Sequence, residues 1–261
     1  MHIGICATPA DIAPLQELPF DFIEAHVQNL LLPEKPDSAF APNAAATLGC
    51  ARPTPAANCF LPADLKVTGP SVDSARLARY AEVAFARAAS LNLRIFVFGS
   101  AGARQMPEGW SAVRGFEQYV EALQVVAPIA QRHGIQVVVE PLNRVECNLV
   151  NTIDEGAEAV RRCNHPSVQL LVDFFHMLRN GEAPDPIGRH AALVTHAHLA
   201  EDVDRREPGF RGDDFRPFLR QLRKATRCQR LTIECVWSTS MPAGVAGAVA
   251  EVRRQLADAG Y

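Results

Sequence analysis

A (β/α)8 barrel of the TIM type, one α/β domain over residues 1–261, is the fold this sequence predicts, and three observations predict it. Short apolar runs of strand length alternate with helical segments eight times along the chain. Two of these runs, Gln136-Val137-Val138-Val139 and Val168-Gln169-Leu170-Leu171-Val172, are continuous and rich in β-branched residues, as parallel strands are when helices cover both faces of their sheet. The length of 261 residues is also close to the roughly 250 of one such barrel.

Taken in order, His2-Ile3-Gly4-Ile5-Cys6 is the first strand and Pro19 to His26 the second, with room for only a brief helix over 9–16. The Pro- and Ala-rich stretch from Leu30 to Arg52 reads as helix and loop. Thr54 to Phe60 is the third strand, and Ser71 or Asp73 caps a helix running to about Leu91. Arg94 to Ser100 is the fourth strand, followed by the small-residue loop Gly99-Ser100-Ala101-Gly102-Ala103-Arg104, which a ligand can approach closely. A long helix from about Ser111 to His133 stops at Gly134. The fifth strand, Gln136 to Glu140, ends where Pro141 can no longer donate to a ladder. Thr152-Ile153-Asp154-Glu155 has the form of a capping box and opens a helix to about Arg162. Val168 to Asp173, Ala192 to Leu199 and Leu231 to Val236 complete the strands, and Ala243 to Ala259 closes the chain as a helix.

Composition narrows the function classes. Hydrophobic residues make up 48% of the chain, and 26 basic side chains face 29 acidic ones, for a net charge of -3. With no block of Lys or Arg, the chain has no electrostatic grip for nucleic acid or anionic lipid. No apolar run reaches the roughly 20 residues of a membrane span, and Met1-His2-Ile3-Gly4 lacks the marks of a signal peptide, so a cytoplasmic location is expected. The seven scattered cysteines contain no Cys-x-x-Cys pair and read as reduced, mostly buried thiols.

Glu140, Asp173, His198 and Glu234 stand at or near the carboxyl ends of four consecutive expected strands. In a closed barrel those ends form an arc around one mouth, where catalytic groups collect. Three carboxylates brought together repel, and a divalent cation is the simplest partner that makes the cluster tolerable. Mixed carboxylate and imidazole ligation suits Mn²⁺, Co²⁺, Zn²⁺ or Mg²⁺, with Mn²⁺ the first expectation.

Glu140-Pro141-Leu142-Asn143-Arg144, Asp173-Phe174-Phe175-His176, His196-Ala197-His198 and Thr232-Ile233-Glu234 together resemble the successive signatures of the xylose-isomerase-like TIM-barrel superfamily, which includes ketose 3-epimerases and hydroxypyruvate isomerases. The resemblance covers nearly the whole chain and is most specific in its second half. It implies one divalent metal held by Glu140, Asp173, His198 and Glu234, the four residues that the strand ends select. It further implies substrate contacts from Glu146, from His176 and from Arg205, the nearest match to an Arg that follows the second His. The implied activity is isomerisation or epimerisation of a sugar or sugar phosphate, with a small-molecule substrate as the partner and a homo-oligomer left open.

Such a reaction removes a proton beside a carbonyl, so it needs stabilisation of an enediolate and two proton-transfer groups. Glu140 and Glu234 are the expected acid/base pair. The same ligands serve a dehydratase or lyase acting on an inosose- or dehydroshikimate-like ketone, which stays open, as does a non-enzymatic sensor on this barrel. An apurinic endonuclease needs further histidines, and strands three and four end instead in Asn58-Cys59-Phe60 and Phe98-Gly99-Ser100. His2, His26, His133, His165 and His190 are expected to be surface or structural groups. His196 is expected on the face opposite His198, as a packing residue. Glu24 is left as either a substrate contact or a structural pair, and Trp110 and Trp237 as either walls of the mouth or core. The segment Arg205 to Asp214 is expected as a mouth loop whose arginines either hold a substrate anion or are solvated.

Overall fold

The computed structural model describes residues 1–8, 15 and 17–261; apart from buried Leu15, the brief helix expected at 9–16 lies outside the described residues. Eight parallel strands close into one barrel in sequence order: β1 (His2–Cys6), β2 (Phe22–His26), β3 (Ala56–Asn58), β4 (Ile95–Phe98), β5 (Gln136–Val139), β6 (Val168–Asp173), β7 (Val194–Leu199) and β8 (Arg230–Ile233). Closure is made by β1 against β8, with Gly4 opposite Thr232. Several strands are shorter than expected. Pro53 and Pro55 have no N–H to give and Cys59 turns out at a φ of 52°, so β3 keeps only three residues. Beyond β8, the Val236 N–H leaves the sheet to donate to the Arg205 carbonyl (2.7 Å).

The longer helices are α1 (Asp37–Leu48), α2 (Ser74–Ser90), α3 (Ala112–Arg132), α4 (Ile153–Cys163) and α5 (Met241–Asp258). Their ends follow from local chemistry. Asp73 accepts the Arg76 N–H (2.8 Å) to start α2, and Ser111 accepts that of Arg114 (3.3 Å) to start α3. Thr152 and Glu155 form the reciprocal capping box of α4. Gly134 takes a φ of 65° just past α3, a conformation that a side chain would oppose.

Side chains alternate along each strand, one set facing the helices and the other the barrel axis. The outward set joins the helices in the main core, where the Phe60 ring stacks on Phe85 (5.4 Å) and meets Phe96 and Phe98 edge-on. The inward set makes a smaller, separate cluster of Ala56, Ile95, Val97, Val138 and Leu171, contributed by β3 to β6. On the side of β2, β7 and β8 the interior is polar instead: Glu24, His196 and Thr232 are all fully buried there. No helix among the described residues is long and apolar enough to cross a membrane.

Candidate active site

The inward column continues to the carboxyl end of the barrel, and its last members are the residues named from the strand ends. Ligand atoms of Glu140, Asp173, His198 and Glu234 all lie within 4.8 Å of one another. His198 is central: its Nδ1 is 3.1 Å from both Glu140 Oε1 and Glu234 Oε2, while its Nε2 sits 2.8 Å from Glu24 Oε1. A carboxylate behind the far nitrogen of an imidazole fixes the ring and leaves the near nitrogen aimed into the site.

Each carboxylate is held by a different device. Asp173 ends β6 and caps the short helix Phe174–Asn180, its Oδ1 accepting the Phe175 N–H (2.8 Å). Its Oδ2 is buried without a hydrogen-bond partner among the described residues, with Arg205 Nη2 and His176 Nε2 each 3.5 Å away. Glu140 hangs from a backbone pinned from behind: fully buried Arg104 donates Nη1 to its carbonyl oxygen (2.9 Å) and lies over the Tyr119 ring. Glu140 also requires Gly99, because a Cβ there would stand 2.1 Å from Glu140 Oε2. Glu234 accepts from Asn58 Nδ2 (2.7 Å) and pairs with Arg205.

This crowding separates the acidities. Burial raises the Glu140 carboxyl above its usual range, and burial carries Asp173 up to about 6 against the opposing pull of Arg205. Burial acts the same way on Glu234, but Arg205 and His198 outweigh it and hold that carboxyl at about 2. On His198 burial disfavours the cation, yet Glu24 and Glu234 prevail and raise the imidazole well above its ordinary value. Three carboxylates, one of them with the unpartnered Asp173 oxygen, and one imidazole fit a divalent cation of the oxygen- and nitrogen-preferring kind.

The residues expected to touch substrate surround this cluster. His176 is buried, its Nδ1 2.9 Å from Asn143 Nδ2, and Glu146 accepts from the same amide (2.8 Å). Arg205 lies over the Phe175 ring (4.6 Å), bonds the Glu234 carbonyl (3.2 Å) and reaches Glu146 (3.8 Å). Arg205 and Asp204 both have positive φ, and the loop carrying them is knotted by Glu201. The fully buried Glu201 carboxylate accepts the N–H groups of Gly209 (2.8 Å), Arg211 (2.5 Å), Gly212 (2.9 Å) and Asp213 (3.3 Å). A cavity of about 320 Å³ opens over the cluster, lined among others by Glu140, Glu146, His176, Arg205 and Glu234.

Several expectations need correction. His196 does not face away from His198: residues two apart in a strand share a face, and both imidazoles lie inside the barrel. Glu24 bridges them, its Oε2 2.8 Å from His196 Nε2 and 2.7 Å from Thr232 Oγ1, so it is a structural pair. His196–His198 with Glu24 is a second group of possible ligands, but its atoms already bond one another. Trp110 and Trp237 do not line the cavity and pack against the core. His133, His165 and His190 have hydrogen-bond partners, as expected of structural groups; His26 has none among the described residues and lines the cavity. The seven cysteines are all free, and burial pushes the Cys59 thiol beside the site up to about 12.

A sequence profile described as xylose isomerase-like TIM barrel matches residues 12–256. The chain belongs to that family. Within the xylose isomerase-like barrels, it is 33% identical over 95 residues to the D-psicose 3-epimerase of Ruminiclostridium cellulolyticum, covering 36% of this chain and 32% of that one. It is 31% identical over 104 residues to the 3-dehydro-D-guloside 4-epimerase of Escherichia coli K12, covering 40% and 39%. The matched stretches thus span a third to two fifths of these curated relatives. Among solved structures, a D-allulose 3-epimerase from Methylomonas sp. superposes with a TM-score of 0.82 at 22% identity, over 98% of this chain and 96% of that one. The IOLI protein with a bound zinc atom superposes at 0.74 and 16% identity, over 99% and 98%. At such identities these two likenesses establish the fold.

Proposed function

We propose that this protein is a divalent-metal-dependent isomerase or epimerase of a sugar or sugar phosphate, working by proton transfer at a carbon beside a carbonyl. One observation carries the reading: Glu140, Asp173, His198 and Glu234 converge within 4.8 Å at the carboxyl end of the barrel, beneath a cavity of sugar size. The curated relatives named as epimerases support it. In this reading the four residues hold the cation, Mn²⁺ being the first expectation. When bound, the cation supplies the positive charge that favours the enediolate over the ketose.

The chain's own groups do the rest. Glu234 is held ionised by Arg205 and His198, which suits it to take the proton from the carbon. Glu140, its carboxyl raised by burial, suits the return of a proton from Oε2, the oxygen turned toward Gly99. His176 donates a hydrogen bond to a substrate oxygen, Glu146 orients a hydroxyl, and Arg205 faces the oxygens where charge develops. Asn143 ties His176 to Glu146 and keeps the two in register.

The test is a metal analysis of the purified protein followed by a ketose and inosose panel in D₂O with added Mn²⁺. Deuterium incorporated beside the carbonyl, without loss of water, is the expected result. A new ultraviolet-absorbing enone would replace this reading with a dehydratase. Failure to bind any divalent metal, with no exchange, would remove the enzymatic reading.

A further inference from the structure

The closed strand order sets β2, β3 and β4 across the axis from β6, β7 and β8. A ketose whose carbonyl and adjoining hydroxyl lie against the four acidic and imidazole groups has the β2–β4 wall of the same cavity open to the rest of its chain. That wall is lined by His26, Gln28, Asn58, Cys59 and the turn Gly99 to Gly102. Most of its polar groups are already engaged. Gln28 donates its amide to the carbonyls of Cys59 (2.9 Å) and Leu61 (3.1 Å). Asn58 donates to Glu234 Oε1 (2.7 Å) and to Cys6 Sγ (3.3 Å), and Ser100 Oγ accepts the Leu61 N–H (3.0 Å).

His26 differs. It ends β2 in register with Asn58, and neither of its ring nitrogens has a hydrogen-bond partner among the described residues. Nδ1 is shut off from solvent, which leaves Nε2 to meet a ligand. Nε2 at the cavity edge is thus free to pair with a polar group held in the cavity.

We propose that His26 is a specificity-determining residue that hydrogen-bonds a hydroxyl on the part of a ketose farthest from its carbonyl, and so selects for chain length. The inference rests on the ketose reading given above. Burial also holds the imidazole below its ordinary pKa, so it meets a ligand as a neutral ring whose Nε2 donates or accepts according to tautomer. A hydroxyl, which can do either, matches that single nitrogen. No lysine or arginine among the described residues lines this wall, and the Lys66 ammonium behind it is engaged by the Gly102 carbonyl (2.6 Å).

The experiment compares calorimetric binding of D-psicose, with six carbons, and dihydroxyacetone, with three, to Mn²⁺-loaded wild type, His26→Ala and His26→Gln. Dihydroxyacetone carries the carbonyl and its neighbouring hydroxyl but nothing that reaches the far wall. His26→Ala is expected to weaken D-psicose binding about tenfold and to leave dihydroxyacetone within about twofold, with partial recovery in His26→Gln, whose amide also donates and accepts. Mn²⁺ affinity should be equal in all three proteins. Equal loss for both sugars, no loss for either, or weakened Mn²⁺ binding in His26→Ala would overturn the role of His26 and leave the ketose reading standing. If wild type itself binds neither sugar with Mn²⁺ present, the ketose reading is what fails, and the role of His26 falls with it.

Discussion

On one side of the barrel mouth, β5 to β8 present Glu140, Asp173, His198 and Glu234, each locked by a cap, an imidazole pairing or an arginine. On the other, β2 to β4 present His26, Asn58 and Gly99, which carry no net charge between them and leave one imidazole unpaired. Below the mouth the division is turned around the barrel: apolar Ala56, Val97, Val138 and Leu171 fill the axis between β3 and β6, while Glu24, His196 and Thr232 fill it at β2, β7 and β8. The polar interior lies directly behind His198, and the apolar plug lies behind Glu140. Position around the barrel thus sorts two tasks, aiming an imidazole and desolvating a carboxylate, between two kinds of packing.

The sharpest way to break this contrast is at its charged side. Glu234→Gln and Glu140→Gln are each expected to lower turnover by about a thousandfold or more, read as kcat on the substrate found by the panel. Near-normal turnover in either would remove that residue from proton transfer. Next comes the neutral side. Gly99→Ala places a methyl 2.1 Å from Glu140 Oε2 and must move the carboxylate, so a loss of roughly a hundredfold in kcat/KM is expected. An unchanged kcat/KM would mean that the Glu140 position is not critical.

A third variant probes the polar interior behind the mouth. Glu24→Gln keeps the volume but loses the charge that holds both imidazoles, and Mn²⁺ affinity should fall by about ten- to a hundredfold by calorimetry. Affinity within twofold of wild type would show that His198 needs no such partner. The smallest effect is expected outside the cavity lining, at Glu182, which burial raises to about 7 while it accepts the Ile153 N–H. Because its folded pKa lies above the unfolded value, the folded state holds the extra proton between the two, and stability through this group falls as pH rises across that window. Glu182→Gln keeps the acceptor without the charge. Its Tm should match wild type near pH 4 and exceed it by a few degrees at pH 8; a difference that does not change with pH would contradict the assignment.

Much of this was legible in particular residues. The runs at β5 and β6 are apolar on both faces, so their strands and the carboxylates closing them stand out, and Thr152 with Glu155 announces a helix start through local chemistry alone. Strand ends were less legible where a turn intrudes, as at Cys59, whose positive φ shortens β3. The supporting groups were hidden for another reason. Glu24 meets His196 and His198 across more than 170 positions of chain, and Arg104 reaches the Glu140 carbonyl from beyond β4. Glu201, whose carboxylate gathers four backbone N–H groups, is spelled like any acidic loop residue. Such partners are set by closure of the cylinder, which no local pattern records. The misplacement of His196 had a simpler cause, since a spacing of two keeps a side chain on the same face.

The two walls are also consecutive in the chain. Everything facing the mouth from β2 through the turn after β4 lies before residue 105, and all four metal-site candidates follow residue 136. An exchange of the first hundred or so residues with those of a sister barrel would therefore transplant sugar preference as a block while the proton-handling groups stay in place. Glu24, Asn58, Gly99 and Arg104, which meet or support the later groups, are the stitches that such a chimera would have to preserve.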